Sequence, residues 1–537
     1  MHLVFLNQYY PPDAAPTGVM LEAVVERLVR DGHEVTVLCA SGGYAGRELL
    51  KAEMGGAERG THSAIPLSDQ PSTLNHQLST FSPRIIRIGA SSFGRGTFIG
   101  KLLDYASYYV GVALKLWVMN PQPDRIVALT TPPLLSVLAR LFSKIRRADH
   151  AHWVMDLYPD VMVAHGMLGE NNVIYRILAG LARWGFGGRR CAAILTLGPD
   201  MAERCGRVVS GPLSVIGKKE ELDQAILALS NHQPSTLNHQ HSSVQWVPLW
   251  GSEAASVQCP GFREEENGDE CIAASYDPQS SPLDSPLSTS SNCPSPINNP
   301  PSTSPLRHQR GWADDELIVM YSGNMGLGHR FGEILAAALR SVGVSPTSHT
   351  VSQTSARPSN HQPATIDHQL SRTRFVFFGG GKRRVQVEAF VRENPRCAVE
   401  VHDYAPADEL VAHLQSADVH FVSLDLAWSG TMVPSKLQGI FAVGRPVIFI
   451  GSADSSIGRW VTESGGGWVV PAGDVDGLLT ALDEARQPEI RLTRGRAAEV
   501  YARSHFDKQT NVARVAAILA GEGTPRPFLH PERPRSR

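Results

Sequence analysis

No two cysteines in this sequence stand in CxxC spacing: Cys39, Cys191, Cys205, Cys259, Cys271, Cys293 and Cys397 are scattered. That excludes the usual structural zinc frameworks and a dense disulfide scaffold, and it fits a reducing cytoplasm. An excess of either charge is also missing. The 50 Lys and Arg balance 52 Asp and Glu for a net charge of -2, so no nucleic-acid partner is expected. Long apolar runs are absent too. No window reaches the about 18 uninterrupted apolar residues that a spanning helix needs. The start, MHLVFLNQYYPP, lacks the basic segment and apolar stretch of a secretory signal. The expectation is a cytoplasmic protein without a membrane span and without a metal site.

At 537 residues, 42% hydrophobic and 19% charged, the chain exceeds the length at which one core usually divides, so two domains are expected. Four stretches do not read as core: 55–82, 218–243, 255–310 and 345–372. Each is rich in some mix of Ser, Thr, Pro, Asn, Gln and His, a composition that cannot offset its ordering entropy. Three contain near-copies of one decapeptide: QPSTLNHQLS from Gln70, QPSTLNHQHS from Gln233 and QPATIDHQLS from Gln362. Each copy stops just before a strand-like run, so they read as insertions in loops that enter strands. Their histidines, His76, His239 and His368, are too far apart in flexible loops to make a convincing metal set.

The remaining roughly 400 residues alternate strand-like and helix-like segments, which predicts α/β units with parallel sheets. The expected division is a Rossmann-like domain over 1–215, then insertions around a short strand at 244–250 within 216–310. A second Rossmann-like domain over 311–500, a C-terminal helix over 501–522 and a disordered basic tail over 523–537 follow. Ligands of such folds sit at the carboxyl ends of the strands, facing the crevice. The segment 97–119 is either a helix packed on a sheet or one lying on a membrane surface. Tyr108, Tyr109 and Trp117 seek interfaces, and Lys101 and Lys115 can snorkel.

Glycine turns follow three strands. One runs from Tyr9 through Pro12 to Thr17 and Gly18, one from Tyr321 through Gly323, Asn324 and Gly326 to His329 and Arg330, and one holds Gly379, Gly380 and Gly381. Such turns admit close approach of a ligand, although most glycine turns are purely structural. Neither GxGxxG nor GxxxxGK[ST] occurs, so no nicotinamide cofactor or P-loop is expected. Pro434 suits the first turn of a helix, with Ser435 and Lys436 near its N-terminus. Lys436 could pair with a diphosphate there, or be an ordinary surface lysine.

Taken in order, these segments resemble glycosyltransferase family 4 of the GT-B fold. They include Gln8-Tyr9-Tyr10-Pro11-Pro12, Asp156-Leu157-Tyr158-Pro159-Asp160, the turn from Tyr321, Val433-Pro434-Ser435-Lys436-Leu437 and Ala442-Val443-Gly444-Arg445-Pro446. Gly465-Gly466-Gly467-Trp468 onward is similar to the family's closing segment. The resemblance covers nearly all of the non-inserted chain and points to the bacterial branch acting in colanic acid, O-antigen and capsule assembly. It implies retaining transfer of a hexose from a nucleoside diphosphate sugar, without a cofactor, to a glycan or lipid-linked acceptor, with peripheral contact to anionic membrane. The 311–500 domain would hold the donor through Gly323, Asn324, His329, Arg330, Gly379, Gly380 and Lys436. The 1–215 domain would hold the acceptor near Pro12, Thr17 and Gly18. Asp156 would act in the cleft, or be a loop carboxylate or helix cap. Many members carry two glutamates near the donor; the corresponding residues here are Thr431 and Gly439. Other readings stay open: another two-Rossmann sugar-nucleotide enzyme such as a 2-epimerase, or a non-catalytic sugar-nucleotide binder.

Overall fold

The computed structural model describes residues 1–13, 15–41, 82–89, 98–210, 244–250, 304–342, 372–406 and 408–522. The three repeat copies and the tail over 523–537 lie outside the described residues.

The first half comprises β1 (His2–Leu6), α1 (Pro16–Arg30), β2 (Glu34–Ala40), β3 (Arg84–Ile88), α2 (Phe98–Val118), β4 (Arg125–Ala128) and α3 (Leu135–Arg146). It continues with β5 (Asp149–Trp153), α4 (Asp160–Ala164), α5 (Val173–Phe186), β6 (Cys191–Thr196), α6 (Pro199–Ser210) and β7 (Val244–Trp246). Its strands form one parallel sheet in the order β3-β2-β1-β4-β5-β6-β7. β1 is buried along its whole length, as a continuous apolar run covered on both faces should be. Pro16 opens α1, whose Leu21, Val24, Val25 and Leu28 are buried at helical spacing. Val19, which the sequence pattern counts among the apolar positions, is exposed.

The second half begins with α7 (Pro305–Gln309), β8 (Leu317–Ser322), α8 (Gly332–Arg340), β9 (Thr373–Phe378), α9 (Arg384–Glu393), β10 (Val399–His402), α10 (Leu410–Gln415) and β11 (Val419–Ser423). Then come α11 (Lys436–Ala442), β12 (Val447–Ile450), α12 (Ser456–Ser464), β13 (Gly467–Val470), α13 (Val475–Arg486), α14 (Pro488–His505) and α15 (Lys508–Ala520). Its sheet is parallel in the order β10-β9-β8-β11-β12-β13. Two parallel-sheet units are the GT-B architecture expected from the sequence. In each, strand order reverses beside the first strand, between β1 and β4 and between β8 and β11. That switch point opens a crevice at the strands' carboxyl ends.

Three details correct the sequence reading. Residues 501–522 are not one helix: α14 ends at His505, and α15 starts after the Asp507 cap, which accepts from Thr510 N–H. α15 returns to the first unit, where the Arg125 guanidinium donates to the Leu519 carbonyl at 2.5 Å. The end of the supposed 255–310 insertion is also structured. Arg307 on α7 is fully buried, 2.9 Å from Asp418 and bonded to the Ala313 and Glu316 carbonyls. Finally, Pro434 lies before α11, which begins at Lys436 itself.

α2, α3 and α5 cover one face of the first sheet side by side. Tyr108, Val112 and Leu116 of α2 pack inward. No helix among the described residues is long and apolar enough to cross a membrane.

Candidate functional site

The β8 and β9 turns pack so tightly that glycine is required. Gly379 has φ of +123°, and an added Cβ would lie 2.2 Å from the Gly323 carbonyl oxygen. Gly323 has φ of +132°, and its missing side chain leaves room for the Lys436 stem, 2.8 Å from where a Cβ would be. Both positions therefore favour glycine by backbone conformation and by space. The two turns are cross-linked where Met325 N–H donates to the Gly380 carbonyl at 2.6 Å.

Lys436 reaches over this floor from the first residue of α11. Its Nζ lies 3.1 Å from His329 Nε2 and 5.1 Å from the centre of the Tyr321 ring. His329 Nδ1 faces the Ser423 carbonyl at 2.7 Å, so Nδ1 carries the proton and Nε2 accepts from the lysine. Burial, reinforced by the charge of Lys436, lowers the His329 pKa to about 3, so the imidazole stays neutral. Burial also lowers the Lys436 ammonium to about 8, and among the described residues no carboxylate pairs with this desolvated cation. Such a cation at the base of a glycine pocket suits a phosphate oxygen.

Arg330 is placed differently. It donates to Glu333 at 2.7 and 2.9 Å and to Asp425 at 3.2 Å. Glu333 is buried and also accepts from Gly473 N–H at 2.8 Å. Two carboxylates already occupy the guanidinium. Asn324 stays at the turn, its carbonyl accepting from the Tyr321 hydroxyl at 2.6 Å.

On the other side of the crevice, Asp156 follows β5 and makes an antiparallel bridge with Met432. Leu157 N–H donates to the Thr431 carbonyl at 2.9 Å. The segment that leads into Lys436 is thus tied directly to Asp156. Desolvation pushes the Asp156 carboxyl up to about 6, a shift that marks candidate acid–base groups. It caps no helix: Pro159 precedes α4. The loop after β1 has Thr17 and Gly18 at the start of α1 and Pro12 exposed. Gly18 is in tight contact with the Tyr9 carbonyl, 3.2 Å from where a Cβ would lie, and Asn7 Nδ2 donates to that carbonyl at 2.7 Å.

The structure therefore gathers Gly323, Asn324, His329, Arg330, Gly379, Gly380 and Lys436 on one side and brings Asp156 to the neighbouring strand end. Pro12, Thr17 and Gly18 form a separate loop of the first unit. Sequence reasoning missed Ser423, Glu333 and Asp425, which orient the named residues; Gly381 of the third turn has φ of +123°. It also missed Tyr404, 60% exposed, whose ring flanks Gly379 and Gly380. At the two positions aligned with the family's glutamates, Thr431 is fully buried and bonded to the Trp428 carbonyl, and Gly439 has space around it. Among the described residues, His150, His152 and Cys191 bring possible metal-donor atoms within 4.8 Å of one another. His150 is already hydrogen-bonded to Ser143 and the Gly187 carbonyl.

No family model matches the chain. A curated relative, the probable glycosyltransferase WbjE of Pseudomonas aeruginosa, is 28% identical over 110 residues. The alignment spans 20% of this chain and 28% of the relative's length. WaaG, a glycosyltransferase involved in lipopolysaccharide biosynthesis, has a similar crystal structure, with TM-score 0.52, 16% identity and coverage of 97% of this chain and 100% of that one. HepE of Anabaena, solved in complex with UDP, gives 0.53, 12% identity and the same coverages. The likeness to these solved structures is one of fold: two parallel-sheet units of GT-B type.

Proposed function

We propose that the protein is a retaining glycosyltransferase that moves a hexose from a nucleoside diphosphate sugar to a glycan or lipid-linked acceptor of the cell envelope. The observation that carries the reading is Lys436, a desolvated cation with no carboxylate partner among the described residues, set over the Gly323 and Gly379 turns at a strand switch point. WbjE as a probable glycosyltransferase, WaaG as a glycosyltransferase and HepE in its UDP complex support the same direction. The finer assignment is family 4 and its colanic acid, O-antigen and capsule branch.

In this reading Lys436, Asn324 and backbone N–H groups of the glycine turns hold the diphosphate. His329 keeps the lysine aimed, and Arg330 contributes positive potential while braced by its carboxylates. Charge grows on the diphosphate as the bond to the sugar's anomeric carbon breaks, and preorganised donors stabilise it there. The acceptor oxygen bonds to the same face of that carbon, and its proton passes to the leaving phosphate oxygen. Asp156 orients the acceptor hydroxyl or the transferred sugar. The acceptor enters past the loop of Pro12, Thr17 and Gly18, and the protein meets anionic membrane peripherally.

The test is nucleotide release by the purified protein with UDP-, GDP- and dTDP-sugars, with and without acceptor glycolipid. Acceptor-dependent release from one donor is expected. Calorimetric binding without turnover would instead support a non-catalytic binder, the reading that Thr431 and Gly439 favour. Conversion of the donor without acceptor would support a 2-epimerase.

A further inference from the structure

A groove of about 610 Å³ runs between α5 and α6, outside the glycine pocket. Asp160, Tyr175, Arg176, Arg183, Arg204 and Arg207 line it. Four guanidiniums face one carboxylate, and that carboxylate is committed to Arg204 at 2.8 Å. Arg183 is held by the Val208 carbonyl, while Arg176 and Arg207 are exposed. Arg204 also donates to the Ser429 carbonyl at 3.3 Å, so this end of the groove meets the second unit at the rim of the crevice. Guanidinium forks around an open groove match a phosphate group.

The same helix presents an apolar face beside this groove. Ile174 and Ile177 of α5 are 54% and 58% exposed. α3 packs against α5 where Gly185 meets Ser136, and its Ile145 is 46% exposed. α2 adjoins α3 where the Arg146 guanidinium donates to the Trp117 carbonyl at 3.2 Å, and its Leu114 and Trp117 are 63% and 62% exposed. The three helices together contain seven Lys or Arg and one Asp, on a chain whose net charge is -2. Apolar side chains that protrude among cations fit a bilayer with anionic headgroups.

We propose that the α5–α6 groove binds the phosphate headgroup of a membrane lipid while the outer faces of α2, α3 and α5 rest in the bilayer surface. The inference rests on the lipid-linked acceptor reading for the kind of amphiphile involved. Its headgroup would be delivered to the rim of the crevice. α5 unites the two halves of the ligand: Arg176 and Arg183 face the phosphate, and Ile174 and Ile177 face the hydrocarbon.

The experiment is flotation of the full chain with three vesicle types: phosphatidylcholine alone, the same doped with oleate, and the same doped with phosphatidic acid. Binding should be strongest with phosphatidic acid. The double variant Arg176→Gln/Arg207→Gln should lower it at least about tenfold through lost charge-assisted hydrogen bonds to phosphate, with a much smaller loss on oleate vesicles. Trp117→Ser/Ile177→Ser should weaken binding to both anionic types. Equal flotation with oleate and phosphatidic acid, insensitive to the arginines, would overturn the headgroup site. Calorimetric binding of inorganic pyrophosphate that Arg176→Gln/Arg207→Gln abolishes and Lys436→Ala does not, without flotation, would show a groove for free anions and overturn the lipid assignment. A dimer that Trp117→Ser/Ile177→Ser dissociates, again without flotation, would show that a second copy covers the face. Sugar transfer enters none of these readouts, so this inference and the proposed activity fail separately.

Discussion

Replacing Asp156 by Asn should make the protein more stable and less active. Desolvation lifts the carboxyl from an ordinary 3.8 to about 6, so the folded state disfavours the charged form. An acid whose pKa is raised by folding loses stability as pH climbs from the unfolded value to the folded one, and the full penalty is present above about 6. That interval is worth about 3 kcal/mol at pH 7.5, roughly half of that at pH 5 and little at pH 4. The amide introduced by Asp156→Asn cannot ionise, so the variant should recover this amount. In a unit of this size the neutral-pH gain corresponds to a rise in Tm of roughly 6–12 °C. Differential scanning fluorimetry of both proteins at the three pH values reads the difference directly, while nucleotide release falls at every pH. A gain independent of pH, or a loss of stability at pH 7.5, would refute the argument that a desolvated charge sits at the crevice.

Lys436→Ala should weaken donor binding by about 1.5–3 kcal/mol, measured by calorimetry; unchanged affinity would remove the lysine from the site. Because free Lys436 titrates at about 8 and a bound diphosphate would favour its charged form, donor affinity should hold steady below that pH and fall above it, by up to about tenfold per pH unit. Measured affinities at neutral and alkaline pH decide this, and a flat profile counts against it. Gly439→Ala should fit, since the nearest side-chain atom to a Cβ there is 3.6 Å away; it should add about 1 kcal/mol of helix stability, and a loss of folded protein would contradict the space seen around it. Deleting 255–303 with a short rejoining loop should leave activity intact, whereas Arg307→Ala should destabilise the fold by less than the about 3–5 kcal/mol of a fully stranded charge, because Arg491 stays 3.6 Å from Asp418; urea unfolding separates the two outcomes.

The strands that were easiest to read are those whose physics is local. β1, β8 and β12 are apolar runs buried on both faces, and their sequences say so without tertiary help. β10 is harder to read, because it is an edge strand of four residues, three of them only partly buried. α7 was assigned to an insertion because Pro305, His308 and Gln309 resemble the low-complexity stretch before them. Its place in the fold depends on one arginine meeting an aspartate 111 residues away. The site shows the same division. Glycines after strands and a lysine at a helix start are local signals. The seating of the Lys436 stem over Gly323 and the neutral tautomer of His329 arise between distant segments, and no spacing rule encodes them.

That difference also separates two cations that look equivalent in the sequence. Arg330 and Lys436 both stand beside the glycine turns, yet Arg330 is bound by two carboxylates and Lys436 by a neutral imidazole. A diphosphate approaching Arg330 must compete with charges already within 3.2 Å. Approaching Lys436, it meets a cation that has lost water and gained no counter-charge from the described residues, so the net attraction is larger. Arg330 instead joins three segments: the β8 turn, Asp425 after β11, and through Glu333 the loop at Gly473. Its truncation should therefore leave Glu333 buried without its cation and loosen the frame around the pocket. Lys436 supplies the uncompensated charge at the pocket floor, and Arg330 holds the strands that keep the floor in place.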